Sequence, residues 1–456
     1  HGFRYVYITG IHKEQATEDL LTYLVMHSKV KTVGNFSSSD EISNKIQQCT
    51  RNSDLSNFYY FPTDCPQREK NGWTGDAALS AEQLLLNFSV EKDFAEWMTN
   101  IRAAQNDEGA IPGIVPTASW GYEWGSGPAW DSALVYIPFF VYKYHGDKQI
   151  IKDNATAFIR YLNYLTTKQD EHGLIAFGLG DWCPAGRDFD AYKSPLVLTD
   201  SILSMDIAKK AAFLFHEIGW KLQSDFAEKL SNQLRNSIRH YLIDFATMTA
   251  EGACQTSQAM AIYYGIFAEG EKQAAFKRLL EIIHQSDEHI DAGILGLRVL
   301  FHVLADFGEA DLAYQMIVRK DFPAYGNWIA RGATSLWETF YREGEVAGSM
   351  NHHFFGDVSS WFIQTIAGIH FNPYCHNLNE VIIAPHFIKQ LNHAEAYYVS
   401  PLGKIAVRWE REKEEIFLKV AVPKNMKGII RAPKGWTLPH ELGTIPVTTG
   451  TYSLKQ

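Results

Sequence analysis

Residues 198–218 read LTDSILSMDIAKKAAFLFHEI, and this stretch indicates most clearly how the chain folds. Apolar side chains recur in it at intervals of three or four, for example at Leu203, Ile207 and Ala211. This interval places them on one face of an α-helix. Comparable patterns between residues 38 and 368 predict about twelve helices. Their expected limits are 39–60, 77–89, 91–105, 128–145, 148–166, 197–219, 222–243, 255–268, 271–285, 291–307, 309–319 and 350–368.

Short and long connections alternate between these helices, which suits a ring of helical hairpins. An inner ring packed inside an outer ring gives an (α/α)₆ toroid, and we therefore predict a mainly α fold of this type. An irregular helical domain or a solenoid is the alternative, but no repeat of fixed length is visible. The long connections are polar and rich in Gly, Pro and Trp, and in a toroid they would gather around a pocket. They span residues 61–76, 106–128, 167–196 and 320–349.

The apolar period changes to two after about residue 370. Ile405, Val407 and Trp409 fall at every second position, and Val381-Ile382-Ile383 forms another β-branched and apolar run. This pattern is typical of strands with one buried face. The tail is predicted to form a small C-terminal antiparallel β-sandwich. The predicted domains are the end of a preceding β region with a linker (1–34), the helical domain (35–369) and the β-sandwich (370–456), with residues 1–10 forming the last strand of that preceding region.

The composition argues against several kinds of partner. With 52 acidic and 42 basic residues the net charge is −10, which disfavours nucleic acid and anionic membranes, since both require a basic surface. No stretch reaches the roughly 18 apolar residues of a membrane span. The five cysteines are scattered without a Cys-x-x-Cys pair, so we expect neither a structural zinc site nor a disulfide framework. No metal or cofactor is predicted.

Residues 64–76, DCPQREKNGWTGD, carry the candidate chemistry. One Pro and two Gly interrupt any helix here, so the run is predicted to be a shaped loop, where catalytic groups are commonly found. A solvated acidic turn is the alternative. Glycosidic hydrolysis needs two carboxyl groups, one as general acid and one as base or nucleophile, and the candidates are Asp64, Glu69, Asp76 and Glu338. The 13% aromatic content suits stacking on sugars, although a large core would also explain it.

The segment from Asp64 to Asp76 resembles the signature of bacterial α-L-rhamnosidases, glycoside hydrolase family 78. Six shorter segments along nearly the whole chain resemble other segments of the family more weakly, and they occur in the family's order. The first of them resembles the end of the β-sandwich that precedes the family's catalytic domain, and the last resembles the start of its C-terminal β domain. They lie at residues 2–6, 127–131, 180–182, 335–338, 349–356 and 398–403.

This resemblance implies an (α/α)₆ catalytic domain of the six-hairpin glycosidase type. It also implies metal-free, inverting hydrolysis of terminal α-L-rhamnosyl residues on glycans or plant glycosides. Glu69 would be the general acid and Glu338 the general base, with their carboxyl groups about 6.5–9.5 Å apart to admit water. Tryptophans would wall the sugar beside its methyl group, and the polar residues would contact its hydroxyls and ring. The implied substrate-binding residues are Asp64, Arg68, Trp73, Asp76, Trp130, Asp131, Asp181, Trp182 and His352.

One departure from the family lies between Arg68 and Gly72. Many members carry an acidic pair and a longer insert here, whereas this chain has Glu69-Lys70-Asn71, one residue shorter. Glu69 is therefore the sole carboxylate at this point, and the shorter loop leaves the sugar preference open. The alternatives are a lyase, phosphorylase or hydrolase acting on another sugar, and a carbohydrate-binding protein that has lost its activity. The oligomeric state and a periplasmic or cytoplasmic location in a bacterium also remain open.

Overall fold

The computed structural model describes residues 5–117, 119–122, 124–345 and 348–456, apart from the side chain of Glu441. A π-helical turn, Phe362–Ile366, extends the last α-helix. The α-helices are α1 (Glu41–Ser56), α2 (Thr74–Asn87), α3 (Glu91–Ala104), α4 (Pro128–Asp131), α5 (Ala133–His145), α6 (Lys148–Thr167), α7 (Leu196–Glu217), α8 (Lys221–Tyr241), α9 (Gln255–Tyr263), α10 (Lys272–Gln285), α11 (Ile294–Asp306), α12 (Ala310–Val318), α13 (Tyr325–Ala330) and α14 (Asp357–Trp361).

Within the described residues, six helices form a closed inner ring. In this ring α2 packs on α5, α5 on α7, α7 on α9, α9 on α11, α11 on α14, and α14 again on α2. All 14 residues of α2 are buried, as expected for an inner helix. The outer helices α1, α3, α6, α8, α10 and α12 bury one face each; α8 buries Ala227, Leu230, Ser231, Leu234 and Ile238 out of 21 residues. The predicted (α/α)₆ toroid is confirmed.

The predicted helix limits differ from the structure by a few residues at most ends, and by more in several places. The predicted helices 39–60 and 255–268 end early, at Ser56 and Tyr263. The predicted helix 128–145 is interrupted at Ser132, and α13 forms inside a predicted connection. Residues 350–356 are not helical, although the prediction included them. Their backbone pairs with another loop instead: the amide of His352 donates to the carbonyl of Leu336 at 2.9 Å. A tertiary contact therefore replaces the first turns of the predicted helix.

The C-terminal region forms two sheets. One has the antiparallel order β1-β8-β9-β10-β13, and the other has the order β12-β11-β7-β6. The pair β7 and β11 is parallel, so the prediction of a purely antiparallel sandwich was wrong for this pair. The strands are β1 (Gly34–Ser38), β2 (Phe58–Tyr59), β3 (Phe61–Pro62), β4 (Ile243–Asp244), β5 (Thr249–Ala250), β6 (Ile369–His370), β7 (Glu380–Ile383), β8 (His393–Ser400), β9 (Gly403–Glu412), β10 (Glu415–Ala421), β11 (Lys427–Arg431), β12 (Thr444–Pro446) and β13 (Gly450–Lys455).

The helical and strand-rich regions are joined by more than their linker. Strand β1 precedes the toroid in sequence but pairs with β8 in the C-terminal sheet. The ring of Phe36 on β1 stacks on Phe362 with centroids 4.9 Å apart, and the indole of Trp409 donates to the carbonyl of Ile366 at 2.9 Å. The predicted domain limits stay a prediction. The strand predicted for residues 1–10 is not formed in its described part, residues 5–10.

None of the described helices combines the length and apolar character that crossing a bilayer requires.

A buried carboxylate at Asp181 fixes the start of inner helix α11. Its oxygens accept hydrogen bonds from the amides of Gly293, Leu295 and Gly296 at 2.8–3.0 Å and from the hydroxyl of Thr256 at 2.5 Å. The first amides of a helix have no partner within the helix, and a negative charge is favourable beside them. Asp181 therefore anchors the 167–196 connection to the inner ring.

We expect Asp181→Ala to lower the free energy of unfolding by about 2–4 kcal/mol, because it leaves several buried donors without an acceptor. Thermal and urea denaturation would measure the loss. Asp188→Ala, an exposed aspartate in the same connection, is the matched control and should unfold like the wild type. Equal stability of the two variants would show that the cap contributes nothing to folding.

Candidate active site

The loop from Asp64 to Asn71 closes on itself through hydrogen bonds. The amide of Asp64 donates to the carbonyl of Asn71 at 3.0 Å, and the amide of Asn71 donates to Asp64 Oδ1 at 2.8 Å. Lys70 takes a left-handed conformation with φ of 58°, which lets the chain reverse. The predicted shaped loop is therefore present over residues 64–73, and its first carboxylate holds it closed. The prediction was wrong for residues 74–76, which form the first turn of α2.

The second half of the run is attached to another long connection. The amide of Val115 donates to the carbonyl of Gly72 at 2.9 Å, and that of Thr74 donates to the carbonyl of Gly113 at 2.8 Å. At Gly75 a Cβ atom would lie 2.6 Å from the indole ring of Trp130, so only glycine permits this approach. This contact seats Trp130 against the start of α2.

Ser349 connects the two predicted catalytic segments. Its amide donates to Glu338 Oε2 at 2.5 Å, and its carbonyl accepts from the amide of Glu338 at 2.8 Å. Its hydroxyl oxygen accepts from Gln67 Nε2 at 2.6 Å. The Glu338 segment and the loop that carries Glu69 therefore meet although they lie far apart in sequence.

A cavity of about 180 Å³ lies where these segments meet. Its walls come from each of the four long connections predicted from the sequence, from α4, and from the segment that follows the last connection. Glu69 is exposed at this site, whereas Asp64, Asp76 and Trp130 are buried. The lining residues are Asp64, Arg68, Glu69, Trp73, Asp76, Trp124, Trp130, Leu179, Trp182, Phe189, Glu338, His352 and Phe354.

Nine of the eleven residues singled out from the sequence thus line one cavity, while Asp131 and Asp181 do not. The expectation that these two line the pocket was wrong. Asp131 is buried and accepts a hydrogen bond from the hydroxyl of Tyr161 at 2.9 Å. Asp181 caps α11, as described above. Both oxygens of Asp181 therefore have donors inside the protein, whereas Asp131 accepts only at Oδ2 and its Oδ1 has no hydrogen-bond partner among the described residues.

Sequence reasoning missed Trp124, Leu179, Phe189 and Phe354, which also line the cavity. Phe189 stacks on Trp182 with centroids 5.8 Å apart. For Trp124, Leu179 and Phe189 the available signal was a large apolar residue in a connection that is otherwise polar and rich in Gly and Pro, whereas Phe354 lay inside a predicted helix and carried no such signal. That signal marks a region but does not distinguish a wall residue from a neighbouring core residue.

Burial controls the protonation of the two aspartates. It raises the pKa of Asp64 to about 6, against the opposing hydrogen bonds from the Cys65 thiol and the Asn71 amide. The pKa of Asp76 is raised well above its ordinary value, first by burial and then by the neighbouring charge of Asp64. A carboxyl group kept neutral in this way can donate a hydrogen bond. Asp76 is therefore suited to donate a hydrogen bond within the cavity.

Opposing effects act on the pKa of Glu338. Burial raises its pKa, the Ser349 amide and Arg68 lower it, and Glu69 raises it. Arg68 Nη1 lies 3.5 Å from Glu338 Oε2, and its side chain is 55% exposed, so this pair is screened by solvent. The result is a partly buried carboxyl group with one strong amide donor.

His352 lies between two carboxyl groups. Its Nε2 is 3.9 Å from Asp64 Oδ2 and 3.7 Å from Glu338 Oε1, which is beyond direct hydrogen-bonding distance. Burial lowers the pKa of His352 to about 3, with the neighbouring His353 acting in the same direction. The ring is therefore neutral near pH 7, with one nitrogen that donates and one that accepts.

Three buried polar atoms of cavity-lining residues have no hydrogen-bond partner among the described residues. They are Asp76 Oδ1, Trp130 Nε1 and His352 Nδ1. Buried polar groups in folded proteins almost always have partners, so such atoms point to groups that a ligand or solvent supplies. A polyhydroxylated ligand offers both donors and acceptors to such atoms.

Two groups of described residues have ligand atoms close enough to share a metal ion. Asp64, Cys65 and His352 form one, and the exposed His216 and His376 form the other with Glu217, whose side chain is largely buried. In the first group the Cys65 thiol donates to Asp64 Oδ2 at 2.7 Å, and burial raises the pKa of this thiol to about 12. A protonated thiol orients the carboxylate and does not act as a thiolate ligand.

The arrangement can therefore perform acid–base chemistry on a small polar ring. Glu69 accepts a hydrogen bond from Trp73 Nε1 at 2.9 Å, which holds its carboxyl group at the cavity. Glu338 is held by the Ser349 amide, and Trp130 and Trp182 supply apolar walls. Two carboxyl groups beside aromatic walls are the parts that glycosidic cleavage requires.

Comparison with known proteins agrees with this geometry. Residues 31–366 match the profile described as the bacterial α-L-rhamnosidase six-hairpin glycosidase domain, and residues 378–437 match the bacterial α-L-rhamnosidase C-terminal domain. An α-L-rhamnosidase of Formosa agariphila is 29% identical over 95% of this chain and 48% of its own length. An α-L-rhamnosidase from Streptomyces avermitilis is 28% identical over 95% of this chain and 42% of its own length. The chain thus spans about half the length of these curated relatives.

Solved structures give the same result for the fold. The α-L-rhamnosidase from Dictyoglumus thermophilum has a TM-score of 0.86 and 27% identity, covering 94% of this chain and 51% of that chain. The Streptomyces avermitilis enzyme, solved with L-rhamnose, has the same TM-score at 24% identity and covers 95% of this chain and 43% of that chain. At this identity the likeness supports the fold alone. Because the six-hairpin profile covers most of its length, the chain belongs to the bacterial α-L-rhamnosidase family of six-hairpin glycosidases.

Proposed function

We propose that this chain hydrolyses terminal α-L-rhamnosyl residues with inversion at the anomeric carbon. The observation that carries the proposal is the presence of Glu69 and Glu338 on one small cavity with aromatic walls. The family assignment and the names of the relatives support the choice of sugar. A volume of about 180 Å³ is smaller than the roughly 300–1,000 Å³ of drug-sized sites, so it suits one sugar ring.

Glu69 acts as the general acid in this proposal. It protonates the glycosidic oxygen, so the bond from that oxygen to the anomeric carbon breaks and the leaving group departs as an alcohol. Glu338 is the general base: it accepts a proton from water, whose oxygen bonds to the anomeric carbon from the opposite face. The Ser349 amide orients the carboxylate of Glu338 during this step.

The remaining polar residues bind the sugar. Asp64 accepts from hydroxyl groups when ionised, and the neutral Asp76 can also donate to them. Neutral His352 contributes one donor and one acceptor beside Glu338. Trp130 and Trp182 pack against the apolar part of the ring, where the methyl group of a 6-deoxy sugar avoids water.

We expect Glu69→Gln and Glu338→Gln each to lower kcat by about 10²–10⁴-fold, because each removes a proton-transfer group while keeping its shape. Hydrolysis of a nitrophenyl α-L-rhamnoside measures the loss, and a panel of other nitrophenyl glycosides tests the choice of sugar. Glu343→Gln, an exposed glutamate in the same connection as Glu338, is the control. If either active-site variant matched this control, that residue would lose its assigned role.

An inverting reaction should release rhamnose first as the β-anomer. Proton NMR during the first minutes of hydrolysis, before the anomers equilibrate, distinguishes it from the α-anomer. Initial release of the α-anomer would instead indicate retention and a covalent intermediate on one carboxylate.

Arg68→Met should move the acidic limb of the kcat/KM profile to higher pH by up to about one unit. Glu338 must be ionised to act as a base, and Arg68 lowers its pKa, so removing the positive charge raises the pH at which activity appears. Arg68→Lys keeps the charge and should leave the limb near its original position. High salt should shift the wild type towards the Met variant, since salt screens an exposed pair. An unchanged limb in Arg68→Met would contradict this coupling.

A further inference from the structure

Two tryptophans stand exposed beside the cavity. The side chains of Trp120 and Trp124 are 46% and 45% exposed, and their ring centroids lie 5.0 Å apart with the planes tilted by 31°. Together they present a broad apolar surface to solvent. Paired exposed indoles of this kind are characteristic of binding sites, because a protein gains little from leaving large aromatic faces in water.

Residues other than these two tryptophans hold their connection in place. The hydroxyl of half-buried Tyr122 donates to the carbonyl of Ala104 at 2.5 Å, and Ser126 donates to the carbonyl of Tyr122 at 2.8 Å. A Cβ atom at Gly113 would lie 1.9 Å from the carbonyl oxygen of Gly125, so the backbone is closely packed there as well. Other residues therefore anchor this segment, and the two indoles remain available to a ligand.

The tryptophan pair adjoins the proposed acid. Trp73, which donates to the Glu69 carboxylate, lies edge-on to both rings, with centroids 5.9 Å from Trp120 and 5.4 Å from Trp124. Trp124 also lines the cavity. The two indoles thus continue the cavity wall outward from the residue that would protonate the leaving oxygen.

The proposed base has different neighbours. Gly348 lies beside both Glu338 and Phe189, since a Cβ atom placed on it would be 2.6 Å from Glu338 Oε2 and 3.5 Å from the ring of Phe189. Phe189 is therefore near the proposed base. In an inverting reaction the leaving group departs on the side of the acid and water attacks from the side of the base. The leaving group should therefore meet Trp120 and Trp124 and not Phe189.

We propose that Trp120 and Trp124 form the binding site for the leaving group, which presents a flat apolar ring face to them. This inference rests on the proposed function, because it takes Glu69 as the acid. The cavity holds one sugar ring, so whatever follows the glycosidic oxygen lies outside it, on this aromatic surface. An aryl aglycone and the apolar face of a second sugar share the required chemistry, and the experiment separates them.

The test compares kcat/KM for methyl α-L-rhamnoside, an aryl α-L-rhamnoside and a rhamnosyl-glucose disaccharide. Methyl rhamnoside has no ring to stack, so it provides the reference. For Trp120→Ala we expect the ratio of aryl or disaccharide to methyl kcat/KM to fall about fivefold to tenfold, the size of one aromatic contact. Trp120→Leu keeps an apolar side chain without the aromatic face and should lower the ratio if the Ala variant folds poorly.

Trp220→Ala is the matched control, since Trp220 is 36% exposed and packs on Phe215 of α7. Its substrate ratios should equal those of the wild type. A fall with the aryl substrate alone identifies an aromatic aglycone, and a fall with the disaccharide alone identifies a sugar. Unchanged ratios in both Trp120 variants would overturn the inference while leaving the proposed function intact. Absence of wild-type activity on every rhamnoside would instead refute the proposed function.

Discussion

The candidate active site depends on the hydrogen bonds that converge on Ser349. Its amide and carbonyl hold Glu338, while its hydroxyl accepts from Gln67 in the loop that carries Glu69. These contacts join segments about 270 positions apart, as the contact of Arg68 with Glu338 also shows. Two carboxyl groups can cooperate on one bond only if their segments are held at a fixed separation. The closed ring of inner helices supplies the rigid frame on which the two segments meet.

Gathering several acids in a small cavity costs free energy, because burial disfavours their charged forms. The protein meets this cost differently at each group. Asp76 is kept neutral. The charged form of Asp64 is stabilised by hydrogen bonds from the Cys65 thiol and the Asn71 amide, and that of Glu338 by the Ser349 amide and the partly exposed Arg68. Neutral His352 lies between two of them. The site therefore contains both donors and acceptors near neutral pH, which suits a ligand whose hydroxyl groups require both.

Much of the fold could be predicted because helix period is a local property. The outer helix α8 and the inner helix α7 were both located within a few residues from their apolar intervals. The prediction failed at residues 350–356, whose backbone bonds to Leu336 and its neighbours, and at the parallel pair of β7 and β11. In each case the deciding partner lies outside the segment whose apolar pattern was read, so that pattern carries no information about it.

The sequence by itself determined that residues 64–73 form a loop, since Pro66 and Gly72 disfavour a helix there, and it identified the carboxyl groups that a hydrolase would need. Only the tertiary structure decided which acids share the cavity. Asp76 and Asp181 stand in similar settings beside glycine and tryptophan, yet Asp76 lines the cavity and Asp181 caps α11. The physical reason is that a carboxylate binds the donors nearest to it in space, and for Asp181 these are amides more than 110 positions away.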